Sequence, residues 1–128
     1  MKGKLLIVDD ERNILRVISA TLKKEGYEVE VARTGEEALD KFSTNHADLV
    51  VTDFKLPGMS GVDLLSSIKS INPDVPVIML TAYGTIERVV EAMKRGAFNY
   101  LTKPVNPDEL VAVVKEAMEK FRLIRENL

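Results

Sequence analysis

Short apolar runs alternate with longer amphipathic segments along the whole chain of 128 residues. The first, third and fourth runs (LLIV, LVV and VPVIML) are continuously apolar, as expected for strands that are covered on both faces of a sheet. The second run, YEVEVA, alternates apolar and acidic residues, which predicts an edge strand. The five predicted strands cover Lys4–Val8, Tyr27–Ala32, Leu49–Thr52, Val75–Leu80 and Asn99–Thr102.

The segments between these runs have the spacing and the end signals of helices. Glycines follow the first and fourth segments, Asn72-Pro73 follows the third, and the last segment opens with NPDEL, a cap before a proline. The predicted helices cover Glu11–Glu25, Thr34–Asn45, Val62–Ile71, Thr85–Arg95 and Pro107 to the end of the chain. Strict alternation of strands and helices predicts an α/β fold with helices on both faces of a parallel sheet.

A doubly wound sheet of five strands commonly has the flavodoxin-like order 2-1-3-4-5. In that arrangement the functional crevice lies at the carboxyl ends of strands 1 and 3. Polar residues end the apolar runs at this edge: Asp9 and Asp10 follow the first strand, Asp53 the third, Thr81 the fourth and Lys103 the fifth. Each has an ordinary explanation as a helix cap, a turn residue, a loop hydroxyl or a solvated lysine. Those separate explanations do not account for the convergence of all five polar residues at one edge of the sheet.

Composition narrows the chemistry of this edge. The chain has no cysteine and one histidine, His46, in the polar stretch STNHAD, so a thiolate or histidine-rich zinc site is excluded and His46 is expected to be a solvated loop residue. The net charge of −2 gives no sign of nucleic-acid binding. No apolar run is long enough for a signal peptide or a membrane span, so we expect a cytoplasmic domain.

Three carboxylates and a lysine around one crevice predict a Mg²⁺ site, because this cation prefers carboxylate oxygens, water and phosphate oxygens. Glu11, which follows the two aspartates, is a further candidate ligand. A bound cation offsets the repulsion between the carboxylates and lets Asp53 act as a nucleophile toward phosphorus. Lys103 and Thr81 are expected to hold the oxygens of the transferred phosphoryl group.

The pattern of DD, then D followed by K-x-P-G, then T-A and K-P resembles the receiver domain of two-component response regulators, over essentially the whole chain. The resemblance implies that Asp53 is the phosphoacceptor. It also implies that Asp10, Asp53 and the backbone carbonyl of Lys55 are Mg²⁺ ligands, with Asp9 as a close acidic partner, and that Lys103 binds phosphate.

The same resemblance implies a switch in which Thr81 and Tyr100 form a pair, and a cis peptide bond before Pro104. It further implies that Lys55 and Tyr83 control the access of water to the phosphorus, which predicts a slowly hydrolysing acyl phosphate. Such a domain is not an enzyme, although it assists its own phosphoryl transfer and slow dephosphorylation. The expected donor is a sensor histidine kinase or a phosphotransfer protein.

The stretch AYGTIERVVEAMKRGAFNYLTKP resembles receivers of the nitrogen-regulator type, which precede an ATPase module that activates sigma-54 polymerase. Transcription is therefore the expected output, controlled through the face formed by the fourth helix, fifth strand and fifth helix. The chain holds no ATPase or DNA-binding module, so it is either an excised domain or a stand-alone phosphorelay receiver.

Two other functions are compatible with this fold. A flavin-binding electron carrier would need a phosphate loop rich in glycine, serine or threonine after the first strand, where this chain has DDERN. A phosphatase of the haloacid-dehalogenase-like kind would need a second aspartate two residues after the nucleophile, where this chain has Lys55.

The last helix is predicted to overrun the domain, because the segment from Pro107 has no internal glycine or proline. We assign residues 1–118 to the receiver and residues 119–128 to an extension that leads toward a possible output module. Phe121, Ile124 and Leu128 continue a spacing of three and four residues and are expected to lie beyond the sheet as an exposed apolar stripe. This seam, or the neighbouring face of the fourth helix, predicts a homodimer.

Overall fold

The computed structural model describes residues 2–82 and 86–126. Five parallel strands form one sheet in the order β2-β1-β3-β4-β5, and five helices alternate with them along the chain. The predicted fold and strand order are confirmed. The strands are β1 Lys4–Val8, β2 Glu28–Ala32, β3 Leu49–Asp53, β4 Val77–Thr81 and β5 Asn99–Thr102; the helices are α1 Arg12–Lys24, α2 Gly35–Asn45, α3 Gly61–Ile71, α4 Ile86–Lys94 and α5 Pro107–Glu126.

The three central strands are almost completely buried, as their continuous apolar sequences predict. Side chains alternate between the two faces: Leu6 belongs to one core cluster with residues of α2 and α3, and Leu5 to another with residues of α1 and α5. The alternating strand β2 lies at the edge of the sheet, as predicted. Burial on both faces fixes the position of each central strand along its axis. It therefore also fixes where the polar residue at the end of that strand leaves the core.

Several element boundaries differ from the predicted ones by one or two residues. Tyr27 and Val75 are buried but precede β2 and β4, whereas Asp53 and Thr81 are the last residues of β3 and β4. Thr34 is the N-cap of α2, where its side chain accepts a hydrogen bond from the Glu37 amide. The predicted start of the fourth helix at Thr85 lies outside the described residues.

The expectation that Phe121 is part of an exposed apolar stripe is wrong. Its side chain is 7% exposed and belongs to the same core cluster as Val75 and Ala97, which lie in the connections that precede β4 and β5. These connections extend the apolar surface past the amino edge of the sheet, so α5 stays packed for longer than strand lengths suggest. Ile124 is half-buried, and Leu128 lies outside the described residues.

Among the described residues, no helix combines the length and the apolar composition that a bilayer span requires.

His46 is exposed and ends α2 in a left-handed conformation, with φ of 54°.

Candidate functional site

Parallel pairing brings the predicted polar residues to one edge of the sheet. Val8 pairs with Thr52, so the residues that follow them, Asp9 and Asp53, emerge side by side. Thr81 is paired with Thr102, and the next residue is Lys103. The buried strands thus align the polar residues without needing any contact between the side chains themselves.

Lys103 lies between two of the carboxylates. Its Nζ is 2.8 Å from Asp9 Oδ2 and 3.0 Å from Asp53 Oδ2. The side chain of Asp9 is fully buried and that of Asp53 is 9% exposed, so water screens these ion pairs weakly. Asp9 Oδ1 accepts a hydrogen bond from the Glu11 amide at 2.9 Å, whereas Oδ2 accepts no well-aligned hydrogen bond, so its contact with Lys103 is mainly ionic.

Burial sets the protonation preferences at this site. Burial raises the pKa of Asp53 above its ordinary value and the charge of Asp9 adds to the increase, while the hydrogen bond and charge of Lys103 oppose it. For Lys103, burial acts to lower the pKa, but the close contacts with Asp9 and Asp53 and their negative charges outweigh it and leave the pKa raised. The ammonium is therefore held in its charged form, whereas burial disfavours the ionised form of Asp53.

The carboxylates have the donor set and charge that a hard divalent cation requires. Asp9, Asp10 and Asp53 each offer an oxygen, and these oxygens lie within 4.8 Å of one another. Three carboxylates facing one ammonium leave two uncompensated negative charges in a partly buried site. Together with the poorly satisfied Asp9 Oδ2, this arrangement fits Mg²⁺. Glu11 is exposed and is not part of this group.

Two residues that the sequence analysis did not select support the site. Arg33, directly after β2, donates a hydrogen bond from its guanidinium group to the carbonyl oxygen of Asp10 at 3.0 Å, and the amide of Asp9 donates to the carbonyl of Ala32. Gly61 begins α3 so close to β3 that a Cβ atom there would overlap the carbonyl oxygen of Asp53. Strand order places the end of β2 beside that of β1, so a polar residue at position 33 was a signal that could have been used.

The predicted switch residues differ in exposure. Thr81 is 4% exposed at the end of β4, whereas Tyr100, on β5, is 43% exposed. Lys55 is exposed, and its amide lies 3.4 Å from Asp53 Oδ1. Tyr83 lies outside the described residues. The peptide bond between Lys103 and Pro104 is cis, as the resemblance implied.

The model of the family described as "Response regulator receiver domain" matches residues 5–115. The chain belongs to the response regulator receiver domain family. This receiver domain is 40% identical over 128 residues to the nitrogen assimilation regulatory protein NtrX of Azorhizobium caulinodans, covering 98% of this chain and 28% of that protein. It is 40% identical to the regulatory protein AtoC of Escherichia coli K12 over 117 residues, covering 91% of this chain and 25% of that protein.

A solved response regulator receiver domain protein from Clostridium thermocellum superposes with a TM-score of 0.91 and 40% identity, covering 95% of this chain and 98% of the other. The receiver domain spans about a quarter of the length of the curated relatives that it matches. The likeness to NtrX agrees with the nitrogen-regulator type inferred from the sequence. Because the chain matches the receiver family, we no longer consider it a flavin-binding electron carrier or a phosphatase.

Proposed function

We propose that this receiver domain accepts a phosphoryl group on Asp53 from a phosphohistidine of a sensor histidine kinase or phosphotransfer protein, in a reaction that requires Mg²⁺. The observation that carries the proposal is the group of three carboxylates with one ammonium, in which two negative charges are uncompensated. A site of that charge at the end of a parallel sheet is suited to a divalent cation and a phosphoryl group together.

In the transfer, an Asp53 carboxylate oxygen forms a bond to phosphorus while the bond from phosphorus to the imidazole nitrogen breaks, and the imidazole leaves. Asp10, Asp53 and the Lys55 carbonyl, with Asp9 as an acidic partner, would hold Mg²⁺, which would supply positive charge to the phosphoryl oxygens. Lys103 is already anchored 2.8 Å from Asp9, so its ammonium can stay in place while it moves its second contact from Asp53 to a phosphoryl oxygen.

The consequence of phosphorylation is a shift of the Thr81 and Tyr100 pair. Thr81 is buried beside β3, because the residue before it, Leu80, pairs with Asp53. A phosphoryl group on Asp53 gives the Thr81 hydroxyl an acceptor and draws it inward, and Tyr100 moves from its exposed position into the vacated space. In Thr81→Ala, labelling of Asp53 should persist while its effect on partner binding is lost; unchanged partner binding would contradict this coupling.

The surface that this shift alters is formed by α4, β5 and α5. It carries exposed apolar side chains on α4, with Ile86 81%, Val90 44% and Met93 42% exposed. We propose that it mediates a homodimer and controls an output in transcription through ATPase and DNA-binding modules of a sigma-54 activator, in the cytoplasm. The acyl phosphate is expected to hydrolyse slowly, with Lys55 and Tyr83 covering the approach of water.

Treatment with acetyl phosphate and Mg²⁺, followed by intact-mass measurement, tests the proposal. We expect a mass increase of one phosphoryl group, with acetate as the leaving group, and no increase when the metal is chelated. Asp53→Asn should abolish the increase, and Asp74→Asn, at a half-buried aspartate away from the site, should not. Labelling that continues without a divalent cation would contradict the proposed chemistry.

A further inference from the structure

A groove between α1 and α2, over the edge strand β2, has a charge opposite to that of the phosphoacceptor site. It has a volume of about 580 Å³. Five cationic side chains and one acidic side chain line it, although the whole chain has a net charge of −2. The cations are Arg12, Arg16, Lys23, Arg33 and Lys41, and the acid is Glu37.

Most of this positive charge is not neutralised within the receiver domain. Over residues 2–82 and 86–126, Lys41 is the one cation of the groove that has a carboxylate within 4.0 Å, at 3.3 Å from Glu37. Arg16 donates to the Asn13 side chain and Arg33 to the Asp10 carbonyl, and both acceptors are uncharged. A guanidinium group has five N–H donors, so these two arginines retain donors for an anion.

The floor of the groove is apolar, which distinguishes it from an ordinary solvated helix face. Leu15 and Ala32 are buried, Val31 is half-buried and Ala20 is exposed along it. Ser19 also lines the groove, is 8% exposed, and its hydroxyl has no hydrogen-bond partner among the described residues. An apolar floor under a polar rim is the usual composition of a recognition groove, and the Ser19 hydroxyl is free to bind an occupant.

The spacing of the cations indicates an elongated occupant. Arg12 and Lys23 are eleven residues apart on α1, which corresponds to roughly 16 Å along the helix axis. One phosphate or carboxylate cannot contact both, whereas an extended peptide of about five residues covers that length at about 3.3 Å per residue. Single-stranded nucleic acid fits less well, because no aromatic side chain lines the groove to stack on a base.

We infer that the α1–α2 groove is a docking site for an acidic peptide segment of a partner protein, with carboxylates that pair with the rim and apolar side chains that contact the floor. This surface is separate from the α4–β5–α5 face.

A fluorescein-labelled hexapeptide that alternates glutamate and leucine tests the inference on the full 128-residue chain. We expect saturable binding by fluorescence anisotropy, with the largest ¹H–¹⁵N shift changes at Ser19, Ala20, Val31 and Ala32. Lys23→Glu should raise the Kd about fivefold or more, since it replaces an attraction by a repulsion. Lys24→Glu is the matched control: it makes the same charge change on the next residue, which is exposed and does not line the groove, and should raise the Kd less than about twofold.

Two changes of probe separate docking from general attraction between charges. Replacing leucine by serine in the peptide should weaken binding, and replacing glutamate by lysine should abolish it. Equal losses in Lys23→Glu and Lys24→Glu, unchanged affinity of the serine peptide, or shift changes centred on α4 or Lys103 would overturn the inference. Displacement of the peptide by an equal concentration of an oligothymidylate would also overturn it, in favour of nucleic acid.

Discussion

Asp53 must carry a negative charge to act as a nucleophile, yet its position in the fold penalises that charge. Burial, with the nearby charge of Asp9, raises the pKa of Asp53 above its ordinary value despite the contact with Lys103. The folded chain therefore binds this proton more tightly than the unfolded chain does. Stability then falls as pH rises from the ordinary aspartate pKa through the raised folded value, and above that folded value the full cost of ionising Asp53 is present.

The first prediction is that Asp53→Asn raises the melting temperature at neutral pH in the absence of divalent cations, because it removes that cost while Lys103 keeps its contact with Asp9. Magnesium should reduce the difference in melting temperature between the variant and the wild type, because it binds the variant less tightly. At a concentration of one hundred times its Kd, it stabilises the wild type by about 2.7 kcal/mol. Asp40→Asn, at an exposed position on α2, is the control and should change little. A lower melting temperature for Asp53→Asn in metal-free buffer would contradict this account.

At the residue scale, the sequence indicated the candidate site well because strand ends in a parallel sheet must converge. Asp9, Asp10, Asp53 and Lys103 could be selected from their positions after apolar runs alone. The double contact of Lys103 and the role of Arg33 were not predictable in the same way. The position of Arg33 directly after β2 could have been noticed, because β2 lies beside β1. Its hydrogen bond to the Asp10 carbonyl could not, since a bond to a backbone atom leaves no pattern of residue types in the sequence.

At the element scale, the start of α3 fixes the end of β3. Gly61 donates its amide proton to the Phe54 carbonyl at 2.9 Å, and the N-cap Ser60 accepts a hydrogen bond from the Asp63 amide. A Cβ atom at Gly61 would overlap the backbone of Asp53, which is not a flexible side chain that can move aside. The helix can begin there because the residue is glycine.

We therefore predict that Gly61→Ala lowers the free energy of unfolding by about 3 kcal/mol and reduces the rate of phosphorylation by acetyl phosphate, since the clash displaces Asp53. Denaturant unfolding and intact-mass kinetics measure the two effects. Gly35→Ala is the matched control, because its Cβ atom would approach only side-chain atoms of Met59, at 3.0 Å, and would not overlap the backbone of a strand. Equal effects of the two substitutions would show that Gly61 has no special relation to Asp53.

Element types were predictable from hydrophobic periodicity, and most boundaries were predicted within two residues. The burial of Phe121 near the end of α5 was not predicted. The spacing of apolar residues in this helix was recognised, but what Phe121 contacts depends on where the connections that hold Val75 and Ala97 lie in space. A contact of that kind is long-range, so a pattern confined to one helix does not contain it.

At the scale of the whole molecule, the strand order was predicted from the common arrangement of five-stranded doubly wound sheets. The proposed dimer depends on which apolar side chains the packed fold leaves exposed. With Phe121 buried, the apolar face of α4 is the stronger candidate for the contact. Val90 lies at its centre in the sequence of α4 and is 44% exposed.

We predict that the phosphorylated receiver is a dimer in light scattering and that Val90→Glu leaves it monomeric, because a charge would be buried in the interface. Val17→Glu is the control: Val17 is 57% exposed on α1, away from α4, and its substitution should leave the dimer unchanged. A phosphorylated wild type of monomeric mass, or equal loss of the dimer in both variants, would remove α4 from the proposed interface.

The most direct measurement of the central claim is the location of the phosphoryl group after reaction with acetyl phosphate and Mg²⁺. Peptide mapping by mass spectrometry should place it on Asp53, in the peptide that contains VVTDFKLPG, because the Asp53 side chain lies beside Lys103 and is 9% exposed, whereas that of Asp9 is fully buried. Asp9 contacts the same lysine, and should remain unmodified. A phosphoryl group found on Asp9, on a serine or threonine, or on His46 would contradict the account.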